Sequence, residues 1–353
     1  MRKATYFAMT TEDALALVDR AATMHLASTG DRGQPILRAL HVVRLDGALY
    51  FHTAPVGEKA ETVGRRAVLS YEEDVARVPS TFLDPERACP ATTLYRAVQI
   101  EGTLSSCEDP DEKAHVLAVL MKKLQPEGGY VPIDANDPLY ERAIATIGVV
   151  KLTVEHVAGK AKLGQNRTPE DRLKLLLGFL GRGHAGDFAA IEAVVAANPK
   201  DPLPEFLRAK DRTRLVAHLS EAQVEDAAGL LEGAYWLAGV SKATIVEAFR
   251  RSFVRVGAVD SNGRLISAAR ATSDGRVAWI FDVIVANEAR GRGLAAGMVA
   301  LLLAHPAVGR AQSVRLGTRD AEGLYRRFGF EDVSRAPMRP YRVVEMARLR
   351  PAP

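Results

Sequence analysis

Hydrophobic and polar positions change rhythm twice along the 353-residue chain, which divides it into three stretches. In the first, short runs of β-branched and aromatic residues dominate. Residues 42–51 read Val-Val-Arg-Leu-Asp-Gly-Ala-Leu-Tyr-Phe. Asp46-Gly47 between two such runs predicts a two-residue hairpin loop, because both turn positions need positive φ. A loop of that length puts Val43 opposite Tyr50, His41 opposite His52 and Leu40 opposite Thr53. Residues 67–72, 95–106 and 147–157 also read as strands. Thr10 with Asp13 caps a helix carrying Leu15, Val18 and Ala22, and Asp109-Pro110-Asp111-Glu112 opens another carrying Ala114, Leu117, Leu120 and Met121.

The second stretch is helical. Thr168-Pro169 starts a helix with Leu173, Leu176, Leu177 and Leu180; residues 188–197 form a second, and the proline-rich 198–204 breaks it. In the third stretch, strands and helices alternate: helices over 222–231, 241–253, from 293 onward and 320–328, and strands over 254–259, 264–271, 277–285 and 313–316. The expected architecture is a mostly antiparallel β-barrel-like domain over 1–165, a helical connector over 166–210 and an α/β domain over 211–353.

Composition narrows the function classes. With 47% hydrophobic and 25% charged residues, the chain reads as an ordinary globular one. Its longest apolar run, 294–304, is too short to cross a bilayer, and residues 1–10 lack the apolar core of a signal peptide, so no membrane partner is expected. Two cysteines, Cys89 and Cys107, make neither a disulfide scaffold nor a cysteine-rich metal site, which points to a reducing cytoplasm and no bound metal. Lys+Arg 47 against Asp+Glu 43 gives a net +4, short of a nucleic-acid footprint but suited to small anionic ligands held at local sites.

One such site is legible. Residues 277–285 form a buried-strand pattern, followed by Arg290-Gly291-Arg292-Gly293-Leu294-Ala295-Ala296 at the start of an apolar helix. Glycines let backbone amides approach an anion, the helix N-terminus adds partial positive charge, and the arginines add full charges. A pyrophosphate-bearing ligand is the physical expectation. Gly291-x-Gly293-x-x-Ala296 also satisfies the dinucleotide fingerprint, but there the first glycine ends the strand and an acidic residue closes the next one. Here a loop intervenes and the next strand ends Arg315-Leu316-Gly317. Gly181-Arg182-Gly183-His184-Ala185-Gly186 fits the same pattern after a helix and reads as a connector.

Residues 277–330 resemble the GNAT superfamily of acyl-CoA N-acyltransferases, Arg290-x-x-Gly293-x-Ala295 matching its pyrophosphate turn. The resemblance implies acetyl-CoA as cosubstrate, with the main chain of Val283, Ile284 and Val285 along its pantetheine arm. It implies that Tyr325 protonates the leaving thiolate, and that Gly329-Phe330 begins the last strands. The general base is not fixed: Asp282 in mid-strand and Glu322, one turn before Tyr325, are the candidates, although a buried strand aspartate such as Asp282 is more often structural. Tyr235-Trp236 either lines the acceptor pocket or packs in the core, the commoner fate of such a pair.

Two facing histidines, His41 and His52, are close enough to share a ligand, although without a third ligand they read as ordinary pleat residues. The string around them, Leu49-Tyr50-Phe51-His52-Thr53-Ala54-Pro55-Val56-Gly57-Glu58-Lys59, resembles the pyridoxamine-phosphate-oxidase-like split barrels, in particular the nitroimidazole-resistance branch. Residues 95–102, 149–160 and 165–172 resemble later parts of the same fold and its relatives. The resemblance implies FMN, with Arg38, Thr53 and Lys59 at its phosphate and His52 near the flavin, and a homodimer with the cofactor between two subunits. Relatives of this barrel hold haem or a deazaflavin, and the His41–His52 pair keeps haem open as an alternative. Two positions depart from the oxidases: Gly57-Glu58 stands in place of Ser-Arg, and Ala97 replaces a polar flavin-contacting residue.

The resemblances together imply an acetyl-CoA-dependent N-acetyltransferase acting on a small amine, fused to an FMN-binding domain with reductase or oxidase chemistry by hydride transfer. In the alternative, a flavin- or haem-binding sensor regulates the transferase; in a weaker third reading the transferase domain is a degenerate binding module.

Overall fold

The computed structural model describes residues 4–333. The chain forms two compact units: one comprises the residues up to Arg77 together with Thr92–Asn166, the other Val78–Ala91 together with the chain from Arg167 onward. The helical pair that reads as a connector in the sequence therefore clusters with the second unit.

In the first unit the elements run α1 (Ala4–Phe7), α2 (Thr11–Arg20), β1 (Met24–Thr29), β2 (Pro35–Leu40), β3 (Val43–Leu45), β4 (Ala48–Thr53), β5 (Arg66–Val78), β6 (Thr92–Cys107), α3 (Pro110–Leu124), α4 (Glu141–Thr146) and β7 (Gly148–Lys162). The strands make one sheet in the order β2-β1-β5-β6-β7-β4-β3, an antiparallel half-barrel with few helices. Asp46 and Gly47 take φ of 50° and 78° and set Val43 opposite Tyr50 and Leu45 opposite Ala48, as the hairpin pattern predicts. β4 is buried on both faces. Leu49 and Phe51 enter the core with Leu17 and Val18 of α2, whereas Ala48 and Tyr50 join Val116 and Leu120 of α3. Thr10 and Asp109 cap these two helices through their side chains. Gly159 of β7 lets α2 approach, since a Cβ there would fall 2.6 Å from the Cβ of Ala14.

The second unit begins with α5 (Pro169–Arg182) and α6 (Asp187–Ala197), which pack together. Asp187 is 1% exposed and accepts from Arg182, and Phe82 of the 78–91 excursion meets Phe179 edge-on at 5.6 Å. Gly183 is the left-handed C-cap of α5 and Gly186 the N-cap of α6, so the glycine string at 181–186 is a connector. Next come β8 (Arg214–Val216), α7 (Glu221–Leu230), α8 (Lys242–Arg250), β9 (Val254–Val259), β10 (Leu265–Ser273), β11 (Val277–Val285), α9 (Leu294–Ala304), α10 (Pro306–Gly309), β12 (Ser313–Arg315) and α11 (Glu322–Arg326). The sheet order is β12-β11-β10-β9-β8, antiparallel except for the parallel β11–β12 pair. Alternation along β8 puts helices on both faces: Val216 packs in the α7–α8 core, and its neighbour Leu215 meets α9 at Gly297. The strands expected after Gly329-Phe330 lie outside the described residues. Among the described residues, no helix is long and apolar enough to cross a membrane.

Two histidines make this unit sensitive to acid. His305, 3% exposed, sits against the rings of Phe188 and Phe253, and its Nδ1 accepts from the Ala307 amide. Burial pushes it down from 6.5 to about 4. Burial, with the Arg255 guanidinium, does the same to His218. The unfolded chain protonates both near 6.5, so the stability they contribute is complete above that pH and falls as pH drops toward 4. At pH 5.5 the expected loss is about 1 kcal/mol per histidine. Urea unfolding of the full chain at neutral pH and at pH 5.5 checks this; equal stability at the two would contradict it.

Candidate functional site

The second unit's site grows from a break in β11. Its ladder with β12 stops at Trp279↔Arg315, which frees that edge of 280–285 from strand pairing among the described residues. On the other edge, the register against β10 shifts between Ala268↔Ile284 and Arg270↔Phe281, so Asp282 and Val283 stand opposite one residue. Asp282 carries φ 54°, a left-handed conformation that aspartate tolerates better than most residues. The bulge turns its carboxylate inward to 9% exposure, where Oδ2 accepts from Arg270 Nε at 2.6 Å and Oδ1 from Trp236 Nε1 at 3.1 Å.

Beyond β11, Gly291 and Gly293 take φ of 77° and 83°, and α9 starts at Leu294. The first bond into the helix is from the Gly297 amide to the Gly293 carbonyl, so the amides of 291–296 have no partner within the helix. Leu294 is buried at the side chain, which leaves only its amide to the ligand; Ala295 and Ala296 are half-buried. The two arginines divide. Arg290 is exposed, with Nε 3.4 Å from the Val285 carbonyl. Arg292 is bound to Asp211 and Thr213 at 2.6 Å each, and ties the turn to the segment before β8.

A cleft of about 1810 Å³ joins these features: it is lined by residues 279–296, by Lys210, Tyr235 and Trp236, and by Tyr325. Tyr325 on α11 is 7% exposed and meets Phe330 edge-on at 5.9 Å. Burial, aided by Tyr235, raises its pKa above the ordinary tyrosine value, which keeps the hydroxyl protonated as an acid must be. Tyr235 and Trp236 are 47% and 42% exposed, so they line the cleft and are not core residues. Glu322 is exposed and not part of the lining. Of the described acidic residues that line the cleft, Asp211, Asp282, Glu288 and Asp320 are each paired with an arginine, and Glu232 is not. Sequence patterns miss Glu232 and Lys210 because neither lies in a motif; only the fold brings them to the turn and the aromatic pair.

In the first unit His52 and Thr53 end β4, and Lys59 lies in the turn that follows. Thr53 is 4% exposed, and its Oγ1 and His52 Nδ1 are buried atoms without a hydrogen-bond partner. Burial, with the charges of Lys59 and His41, lowers the His52 pKa and keeps the ring neutral. The expected facing of His41 and His52 does not form. The β3–β4 ladder ends at Val43↔Tyr50, Leu40 pairs with Met24 in β1, and His52 pairs with Val149 in β7. The chain breaks at 41–42, where Val42 goes fully into the core and His41 Nδ1 lies 3.0 Å from the Ala22 carbonyl. Arg38 forms an ion pair with Glu58, so the negative charge anticipated beside the phosphate site sits on the cation meant to hold it. Thr53, His52 and Lys59 fit a phosphate-bearing cofactor; Arg38 fits one when Glu58 releases it. No group of three or more metal-ligating side chains occurs among the described residues.

The comparisons agree with this two-part architecture. A family model described as pyridoxamine 5′-phosphate oxidase matches residues 10–161, and one described as the acetyltransferase (GNAT) family matches residues 216–330. The chain therefore carries two domains of known type. It joins a split barrel of the pyridoxamine 5′-phosphate oxidase type to a GNAT acetyltransferase domain. Similar solved structures include a 5-nitroimidazole antibiotic resistance protein from Bacteroides thetaiotaomicron, 17% identical over 44% of this chain and 85% of that one, TM-score 0.36. A flavocytochrome from Azotobacter vinelandii is 18% identical over 49% and 77%, TM-score 0.40. A GNAT-family acetyltransferase from Xanthomonas campestris is 27% identical over 37% and 93%, TM-score 0.32. No curated protein matches the chain.

The Asp282 clamp is testable. Asp282→Ala leaves Arg270, whose side chain is 13% exposed, without its counter-charge. The expected cost to the unfolding free energy is about 3 kcal/mol, measured by urea denaturation. A loss below about 0.5 kcal/mol would mean that the carboxylate does not hold the bulge.

Proposed function

We propose that the second domain transfers an acetyl group from acetyl-CoA to a small amine, and that the first binds a flavin, FMN foremost, in a cytoplasmic homodimer. The observation that carries the transferase reading is that the partnerless amides of 291–296, the open edge of β11 and the protonated Tyr325 share one cleft. The amides and Arg290 hold the diphosphate, and the peptide groups of 283–285 pair with the pantetheine arm. The amine attacks the thioester carbonyl: a C–N bond forms, the C–S bond breaks, and the Tyr325 hydroxyl gives its proton to the departing sulfur. The nitrogen loses its proton to Glu232, the lining carboxylate without an arginine, while Asp282 is the clamp. Tyr325→Phe is expected to lower kcat at least a hundredfold with the affinity for CoA unchanged. Glu232→Gln should lower kcat at least tenfold with the affinity for CoA unchanged. Thiol release and calorimetric CoA titration read both; unchanged kcat in Tyr325→Phe would remove it as the acid.

For the barrel, the carrying observation is the pair of partnerless buried atoms at His52 and Thr53, with the Lys59 charge felt at His52. A bound flavin supplies redox chemistry; the chain supplies hydroxyl, ammonium and, when freed, guanidinium at the phosphate. Glu58 against Arg38 favours a second reading, in which the barrel is a sensor with modest cofactor affinity and not a turnover site. Glu58→Gln is expected to tighten FMN binding about fivefold, read by flavin fluorescence. Equal affinity would show that Glu58 does not weaken the site, and absence of FMN, FAD and haem binding in both proteins would overturn the flavin reading.

A further inference from the structure

The acyltransfer reading leaves the acceptor open, and the cleft walls bear on it. Trp236 donates its indole N–H inward to Asp282, itself held by Arg270, yet the side chain remains 42% exposed. A tryptophan fixed at its polar edge and open over its apolar surface is a preformed stacking platform, since ring area left in water is otherwise unfavourable. Tyr235 packs edge-on against it, with centroids 5.0 Å apart at 84°, and the Arg319 guanidinium lies 3.6 Å from the Tyr235 ring centre. Along the alternate positions of β11, Trp279 and Phe281 stack at 5.9 Å and 16°, and Trp279 is 38% exposed. All four rings line the cleft that contains Tyr325.

Charge argues against polyamines. A polyamine carries several positive charges and needs several free carboxylates. Here, of the described lining acids, only Glu232 lacks an arginine partner. One free carboxylate suits one ammonium.

We propose that the acceptor is a monoamine carried on a planar aromatic group, which stacks on the Trp236 and Trp279 platform with its nitrogen toward Glu232. This rests on the acyltransfer reading for the reaction but on the ring geometry for the substrate class.

The test uses the full chain, loaded with CoA and also without it, and three amines: 2-phenylethylamine, 2-cyclohexylethylamine and spermidine. The first two share an ammonium and a six-membered ring and differ in aromaticity. Titration calorimetry and saturation-transfer NMR are expected to show the phenyl compound binding roughly tenfold more tightly than either other amine. Trp236→Leu and Trp279→Leu should each bring the two ring compounds toward parity. Trp236→Phe, which keeps a ring but loses the N–H, should retain the preference. Equal binding of the ring compounds to the wild-type protein, a preference for spermidine, or a preference that survives both leucine variants would overturn the proposal. Failure of the protein to bind CoA would overturn the acyltransfer reading, while the CoA-free titrations still decide the amine class.

Discussion

The parallel ladder of β11 with β12 stops at Trp279, and a few residues on β11 bulges where Asp282 turns inward. Its ion pair with Arg270 accounts for the arrangement on both sides. The extra residue at 282–283 shifts the register of the β10–β11 ladder, which resumes at Ala268↔Ile284, and the same carboxylate reaches the Trp236 indole. One buried charge pair thus fixes both the strand edge and an aromatic ring in the cleft. The guanidinium completes its surroundings over Phe281 and on Ser252 Oγ, which offsets part of the penalty of taking two charges out of water. That commitment also gives Asp282 a structural role, since one carboxylate oxygen accepts from the guanidinium and the other from the indole.

The barrel site follows a different electrostatic design. Arg38 and Glu58 are each about half exposed, so their attraction is screened and worth about 1 kcal/mol or less. Such a pair lowers the affinity for an incoming phosphate without closing the site to it. The buried atoms of His52 and Thr53 differ in kind. They lie away from solvent without a partner, and a polar atom so placed is unfavourable until a ligand or water meets it. The rim of the site is thus self-satisfied and its floor is not.

What the sequence made legible was local. The Asp46-Gly47 turn, the capped starts of α2, α3 and α5, the span of β11 and the turn at 290–296 each depend on neighbours within a few residues, and the structure has them in place. Strands β1 and β2 have weaker patterns. Only Ile36 and Leu40 of β2 are buried, because it stands at the sheet edge, and β1 alternates cleanly over just its first residues. The expected pairing of His41 with His52 extended a correct register past its physical end, where burial of Val42 draws the chain out of the ladder. Trp236 read as core because aromatic pairs usually are; its exposure follows from a contact with a residue 46 positions away. Site residues outside motifs, Glu232 and Lys210 among them, are set by such distant contacts and leave no periodic trace.

The small net positive charge acquires its meaning from partners rather than number. Arg264, Arg270 and Arg292 surround the cleft, but each faces a carboxylate, and so each acts on the fold by tying down a loop, a bulge or the turn itself. Arg290 and Lys210 form no ion pair among the described residues, and both line the cleft beside the turn. A Cβ on Gly293 would come within 3.3 Å of the Lys210 Cβ, which puts that lysine's stem against the start of α9. Partnerless amides, the helix N-terminus and two uncommitted cations therefore add at one place, while paired arginines elsewhere largely cancel. A field built this way attracts a compact polyanion to one end of the cleft and leaves the aromatic walls near neutrality, the division that a ligand with phosphates at one end and an acyl group at the other requires.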